Sequence, residues 1–197
     1  MSELLKDDKK INNKNKMQFT VLSMVQIAVC VALLCVSAFI TIPVPFSTVP
    51  ITLQTFMVIL VALLLKPSYA VIAQSIYTLI GIVGLPVFSG GRAGIGHIFT
   101  PGGGFIIGFI VASFLVSLAK GKNENVVRYI IVSIVVGITS IDVFGILFYS
   151  IFAGVDLLTS TALMVLPYLV FDIVKCVAAA FISILLNKAL KKAKIGF

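Results

Sequence analysis

Charge is the scarcest resource in this chain. Only 11% of its 197 residues are Asp, Glu, Lys or Arg, while 60% are hydrophobic, and the mean hydropathy is +1.18. Soluble domains carry about 25% charged residues, so this chain has too few to coat a soluble core. Lipid must supply the missing apolar surroundings. Histidine occurs once, at His97, and a metal site there would need partners, so a structural role is the better reading. The three cysteines, Cys30, Cys35 and Cys176, fall inside apolar runs without CxxC spacing. They read as small packing residues rather than disulfides or metal ligands. These shortages point to a polytopic membrane protein.

The net charge of +8 raises nucleic acid as a partner, but the positions of the charges exclude it. Lys6, Lys9, Lys10, Lys14 and Lys16 precede the first apolar run; Lys188, Lys191, Lys192 and Lys194 follow the last. Basic clusters flanking spans set topology and favour anionic headgroups, and no aromatic–basic interleaving suits a nucleic acid strand. The first apolar stretch, about 21–42, is long enough to span and has no clear cleavage site. It reads as a retained helix rather than a signal peptide.

A hydrocarbon core of about 30 Å takes around 20 helical residues. Breaking the apolar runs at Pro, Gly and charge predicts six spans, near 18–42, 51–65, 68–85, 104–119, 126–153 and 161–187. The expected organisation is a basic segment 1–17, a six-helix membrane domain 18–187 and a basic tail 188–197. With both termini cytoplasmic, thirteen of the fifteen basic residues lie on the inner side and only Arg92 in an outer loop. This satisfies the positive-inside rule. Small residues four apart, Ala28/Ala32 in the first span and Gly104/Gly108/Ala112 in the fourth, permit close helix approach. Internal packing suits the fourth span; for Ala28 and Ala32 both an internal and an external partner stay open.

Asp172 and Lys175 stand i, i+3 in the last span, on one face with Tyr168 and Ala179. Each lies more than ten residues from either end of its apolar run, where a charge costs at least about 2.5–3.5 kcal/mol. Two readings follow: a pair that locks helices, or a pair whose hydrogen bonding a polar ligand completes. Asp142 is expected at similar depth, as a neighbour of Lys175, as one of a carboxylate pair sharing a proton, or as a neutral packer. In the second and third spans Thr52, Gln54, Gln74, Tyr77 and Thr78 are candidates to line an outward pocket.

Two loops complete the candidate site. Residues 41–50 are stiffened by Pro43, Pro45 and Pro50. The glycine-rich segment from Gly84 to Gly104 holds Phe88, Gly90, Gly91 and Arg92. Its mixture of Pro and apolar residues argues for a lid that packs on the bundle, since flexible linkers are polar. The Arg92 guanidinium suits bidentate capture of a carboxylate.

The stretches Pro43-Val44-Pro45, Val49-Pro50-Ile51-Thr52-Leu53-Gln54-Thr55, Gly84-Leu85-Pro86-Val87-Phe88-Ser89-Gly90-Gly91 and Thr100-Pro101-Gly102-Gly103-Gly104-Phe105 resemble the BioY family, as does Pro167…Phe171-Asp172-x-x-Lys175. The resemblance runs from Thr20 to the end. BioY proteins are the biotin-binding S components of energy-coupling factor (ECF) transporters. The resemblance therefore implies an all-α six-helix bundle in the prokaryotic cell membrane. It would capture biotin from outside for a coupling transmembrane subunit and two cytoplasmic ATPases, with biotin as cargo and no cofactor. In keeping with that, no GxxxxGK[ST] motif occurs here. Asp172 and Lys175 match the family's Asp-x-x-Lys pair and are expected near the ureido head. Arg92 is expected at the carboxylate, although the two ends could be exchanged. Ala28 and Ala32 match the motif that docks the coupling subunit in related S components. Gly102-Gly103-Gly104 departs from the Thr-Gly-Gly or Ser-Gly-Gly of many relatives, and Asp142 matches no family motif.

Two rivals come from other classes. A membrane-embedded enzyme would use Asp142, Asp172 and Lys175 as acid and base, but no metal cluster or activated nucleophile accompanies them. A channel would need a continuous polar lining, which one salt bridge does not supply.

Overall fold

The computed structural model describes residues 20–44 and 49–193. The expected basic segment 1–17, Pro45–Thr48 of the proline-rich loop and Lys194 of the tail lie outside the described residues. Helix α1 (Val21–Ser37) starts at a reciprocal cap: the Thr20 hydroxyl accepts from the Ser23 amide, and Ser23 Oγ accepts from the Thr20 amide. The chain then forms a short antiparallel pair, β1 (Thr41–Ile42) and β2 (Ile51–Thr52), with Thr41 opposite Thr52.

Helices α2 (Gln54–Leu64) and α3 (Pro67–Val83) are joined by a tight turn. Pro67 occupies the first position of α3, where its missing N–H costs nothing. Gly84 ends α3 at φ +115°, a conformation that favours glycine. The glycine-rich loop follows, with one 3₁₀ segment over Ile95–Phe99, and leads into α4 (Gly103–Ala119). Helix α5 (Val126–Ala153) is capped by Asn125 Oδ1 and contains a π-helical segment at Ser133–Ile138. Helix α6 (Leu157–Met164) is capped by Asp156, and α7 (Leu166–Lys192) completes the bundle.

The expected last span, 161–187, is not one continuous helix. It breaks at Val165 (φ −111°), so 157–164 forms a separate short helix and α7 begins at Leu166. Pro167 explains the break, since it lacks an amide hydrogen and its ring would clash with the carbonyl four residues earlier. The second expected span also starts late, because Ile51 and Thr52 are drawn into the strand pair.

Packing follows residue size. Helix α2 lies between α4 and α7, and Val58 through Leu63 are almost fully buried. The α4 glycine stripe faces α5: a Cβ on Gly104 would lie 2.2 Å from the Phe144 carbonyl oxygen, and one on Gly108 3.0 Å from Ile141. The outward faces are apolar, with Val29, Leu79, Leu118, Ile131, Val170 and Leu185 all more than half exposed. Surface of that kind on α1, α3, α4, α5 and α7 suits lipid contact rather than water. Helices α5 and α7 are long and apolar enough to cross a membrane, while α1, α2, α3 and α4 are shorter apolar helices.

Candidate functional site: a charged cleft under a pinned glycine-rich loop

Among the described residues, one cleft gathers buried polar side chains from α2, α7 and the glycine-rich loop. Gln54 and Thr55 enter from α2, Phe105, Ile106 and Phe109 from α4, and Tyr168, Asp172 and Lys175 from α7. The segment Val49–Thr52 closes one side, and Ser89, Arg92 and His97 of the glycine-rich loop close another. The cleft therefore combines aromatic and aliphatic walls with charge at two separate places.

Lys175 Nζ donates to Asp172 Oδ1 at 2.9 Å, with the two side chains only 14% and 13% exposed. Thr55 on α2 lines the cleft beside the Asp172 carboxylate. The i, i+3 spacing read from the sequence thus becomes an ion pair on the cleft wall. A buried ion pair is of little net stabilising value, but it presents a donor and an acceptor to anything that enters. The Tyr168 hydroxyl donates to the Val49 carbonyl and so fixes the segment leading into β2 against α7.

The loop is fastened down. Phe88 and Arg92 exchange backbone hydrogen bonds of 2.9 and 3.2 Å, closing a turn through Gly90 and Gly91 at φ +71° and +75°. Phe88 is fully buried, edge-on to Tyr77 and stacked on His97. The Tyr77 hydroxyl donates to the Val87 carbonyl at 3.0 Å and accepts from Gln54 Nε2. One chain of hydrogen bonds therefore runs from the cleft wall through Tyr77 to the loop. Burial, and then the neighbouring Arg92 cation, pull the His97 imidazole below its usual pKa, which keeps it neutral at pH 7.

Of the sequence candidates, Thr52, Gln54, Arg92, Asp172 and Lys175 meet in this cleft. Tyr77 stands behind the wall, holding Gln54 and the loop. Gln74 is wholly buried in α3, and Thr78 Oγ1 donates to its carbonyl at 2.9 Å, so neither reaches the cleft. Asp142 is also off the wall, though near enough to Asp172 for the carboxylates to interact. Phe88 serves as the loop's anchor rather than as lining. Ala28 and Ala32 are exposed and line an apolar groove between α1 and α3, together with Met24, Ile72, Ile76 and Ile80.

Two lining groups lie outside the residues that the sequence proposes for the pocket. The Ser89 hydroxyl is buried with no hydrogen-bond partner among the described residues, so it is available to a ligand. His97 belongs to both the loop anchor and the cleft. Among the described residues no group of three His, Cys, Asp or Glu side chains could hold a metal ion.

The chain is similar to several known proteins. A biotin transporter BioY from Pyrococcus horikoshii, named as probable, is 40% identical over 80% of this chain and 91% of its own length. The corresponding Bacillus subtilis protein, "Probable biotin transporter BioY", is 36% identical over 89% of this chain and 96% of its own. Among solved structures, the S-component for biotin from an ECF-type ABC transporter superposes with a TM-score of 0.75 and 27% identity. That match covers 87% of this chain and 95% of the other. These relatives are transport proteins, and the membrane-enzyme alternative finds no support among them. With the family model matching residues 11–192, the chain belongs to the BioY family.

Proposed function

We propose that this protein is the substrate-capture subunit of an ECF-type importer and takes biotin into the cleft under the glycine-rich loop. The observation that carries the reading is the make-up of one cleft: an Asp172–Lys175 pair on α7, Arg92 on the loop, and apolar wall from Phe105, Ile106 and Phe109 of α4. Biotin has the matching layout, with a polar ureido ring at one end, a carboxylate at the other and an apolar body. The ureido carbonyl would accept from Lys175, its N–H groups would donate to Asp172, and Arg92 would hold the carboxylate. Ser89 supplies a further hydrogen bond from the loop. Tyr77 acts through Gln54 and Val87 instead of touching ligand; Gln74, Thr78 and Asp142 support the helices behind the wall.

In the same reading the bundle is multi-pass, with six spans and both termini in the cytoplasm of a prokaryotic cell. The exposed Ala28/Ala32 face of α1 docks the coupling transmembrane subunit. ATP hydrolysis belongs to two cytoplasmic ATPases, and biotin is cargo rather than cofactor.

Calorimetric titration of the purified protein with biotin, dethiobiotin and an unrelated vitamin tests the assignment. Biotin should bind and the unrelated vitamin should not. Asp172→Asn leaves Lys175 without its partner, and a loss of roughly 2 kcal/mol, or about 30-fold in affinity, is expected. Arg92→Ala should weaken biotin more than a biotin amide that lacks the charge. Equal losses for the two ligands would overturn the Arg92 assignment, and no heat with biotin would overturn the function.

A further inference from the structure

A second cleft lies at the opposite end of the bundle and plays no part in the function above. It is built from four separate places in the sequence: Lys66 between α2 and α3, Lys120, Lys122 and Glu124 between α4 and α5, Tyr129 in the first turn of α5, and Asn187 and Lys191 near the end of α7. Four ammonium groups thus face one carboxylate.

The hydrogen bonding sorts these groups. Lys120 is committed to the fold: its Nζ donates to the carbonyls of Ala62, Leu63 and Leu65 at 3.0, 2.8 and 2.5 Å. It thereby caps the C-terminal end of α2. Burial pulls its pKa down to about 8, so it remains mostly charged at neutral pH. Glu124 is paired with Lys191 at 2.9 Å. No hydrogen bond or ion pair among the described residues engages the Lys66, Lys122 or Asn187 side chain, and the Tyr129 hydroxyl has the Glu124 carboxylate and Arg128 as its charged neighbours; Lys66, Lys122, Tyr129 and Asn187 all line the cleft. Asn187 is only 8% exposed and Tyr129 only 2%. With Glu124 paired to Lys191, the charge left over here is positive. The cleft thus gathers several donors under a net positive charge, a combination that suits an anion.

We propose that this cleft binds the phosphate headgroup of an anionic phospholipid. A phosphodiester offers oxygens to Lys66, Lys122, Tyr129 and Asn187 together. The choice of a lipid over a free phosphate ion rests on location. Val127, Leu185 and Leu186 of the flanking α5 and α7 are exposed and apolar, so a seated headgroup would have its acyl chains beside surface that needs them. Basic groups at such a level are attracted to anionic lipids.

Native mass spectrometry of the purified full chain in detergent tests this, with phosphatidylglycerol and phosphatidylcholine of the same acyl chains titrated separately. Phosphatidylglycerol should bind at least about ten-fold more tightly. Lys66→Ala/Lys122→Ala should reduce that preference to within about two-fold, and Lys122→Glu alone, on an exposed loop, should abolish it. Lys188→Ala/Lys192→Ala, on the same helix end but outside the cleft, should leave it intact. An unchanged thermal midpoint in the same detergent shows that each variant is folded, and biotin titration is not needed for any arm. Equal binding of the two lipids would overturn the proposal. So would a preference that survives both cleft variants or disappears in the Lys188/Lys192 variant. Displacement by millimolar inorganic phosphate would assign the cleft to the free ion instead. Displacement by a polyglutamate peptide with no lipid preference would assign it to an acidic protein segment.

Discussion

Gly81→Ala adds one methyl group at the point where the glycine-rich loop is anchored. Its Cβ would lie 2.2 Å from Phe88 Cζ and 2.3 Å from Cε1, far inside van der Waals contact. A ring tip can often swing away, but this ring is fully buried between Tyr77 and His97. The Val87 carbonyl beside it is held by Tyr77, and the Gly94 amide donates to the Gly81 carbonyl at 2.8 Å. The ring cannot yield without the loop, so the loop lifts. Overpacking of this kind costs about 1–3 kcal/mol, and the ~3–5 kcal/mol typical of losing a buried Phe outright sets the ceiling. If ligand capture requires the docked loop, apparent affinity falls by the fraction still docked. One to three kcal/mol then becomes roughly five- to 150-fold weaker biotin binding. Titration calorimetry of the detergent-solubilised protein reads this directly. Phe88→Leu in the Gly81→Ala background should recover part of the loss, because the shorter side chain vacates the space the methyl needs. Biotin affinity within about two-fold of the parent for Gly81→Ala, or strictly additive losses in the double variant, would refute the anchoring argument.

Two further outcomes follow from the same structure. Because burial and Arg92 hold the folded His97 pKa below its ordinary 6.5, the unfolded chain binds more protons in that window. Stability contributed by neutral His97 is therefore complete above about pH 6.5 and is lost as pH falls through the window beneath it. The thermal midpoint should drop between pH 7.5 and 5, and His97→Phe, which keeps an aromatic ring against Phe88, should drop less; parallel curves would sink the idea. At the other face, Ala28→Phe/Ala32→Phe fills an exposed groove without touching the core, so biotin binding to the isolated protein should be unchanged while uptake by cells supplying the partner subunits is abolished. Loss of binding in the purified variant would show that these alanines support the bundle instead.

The charged centre was legible because of cost. Asp172 and Lys175 interrupt a long apolar run where charge is expensive, and Arg92 is the sole cation of a loop too apolar to be a linker. Gln74 and Thr78 carried the same polar signal yet lie away from the cleft. Helical spacing places residues on a face, but does not say which neighbour covers that face. The break at Val165 had its cause in plain view at Pro167, and was hidden by the hydrophobicity on both sides of it. Lys120 read as one topological charge among many, and in the fold it ties off the end of α2.

The sequence alone determined that the chain is unusually apolar, that its elements are mostly helices, and that very few charged residues interrupt its apolar runs. Those conclusions rest on composition and on the local cost of charge, which need no knowledge of neighbours. Tertiary structure decided the rest. It brought Arg92 into one cleft with Asp172 and Lys175, set Phe88 on Gly81, gave Tyr77 to Gln54 and Val87, and gathered Lys66, Lys122, Tyr129 and Asn187 at the far end. Each is a meeting between residues distant in the chain, and it depends on which helix faces pack together.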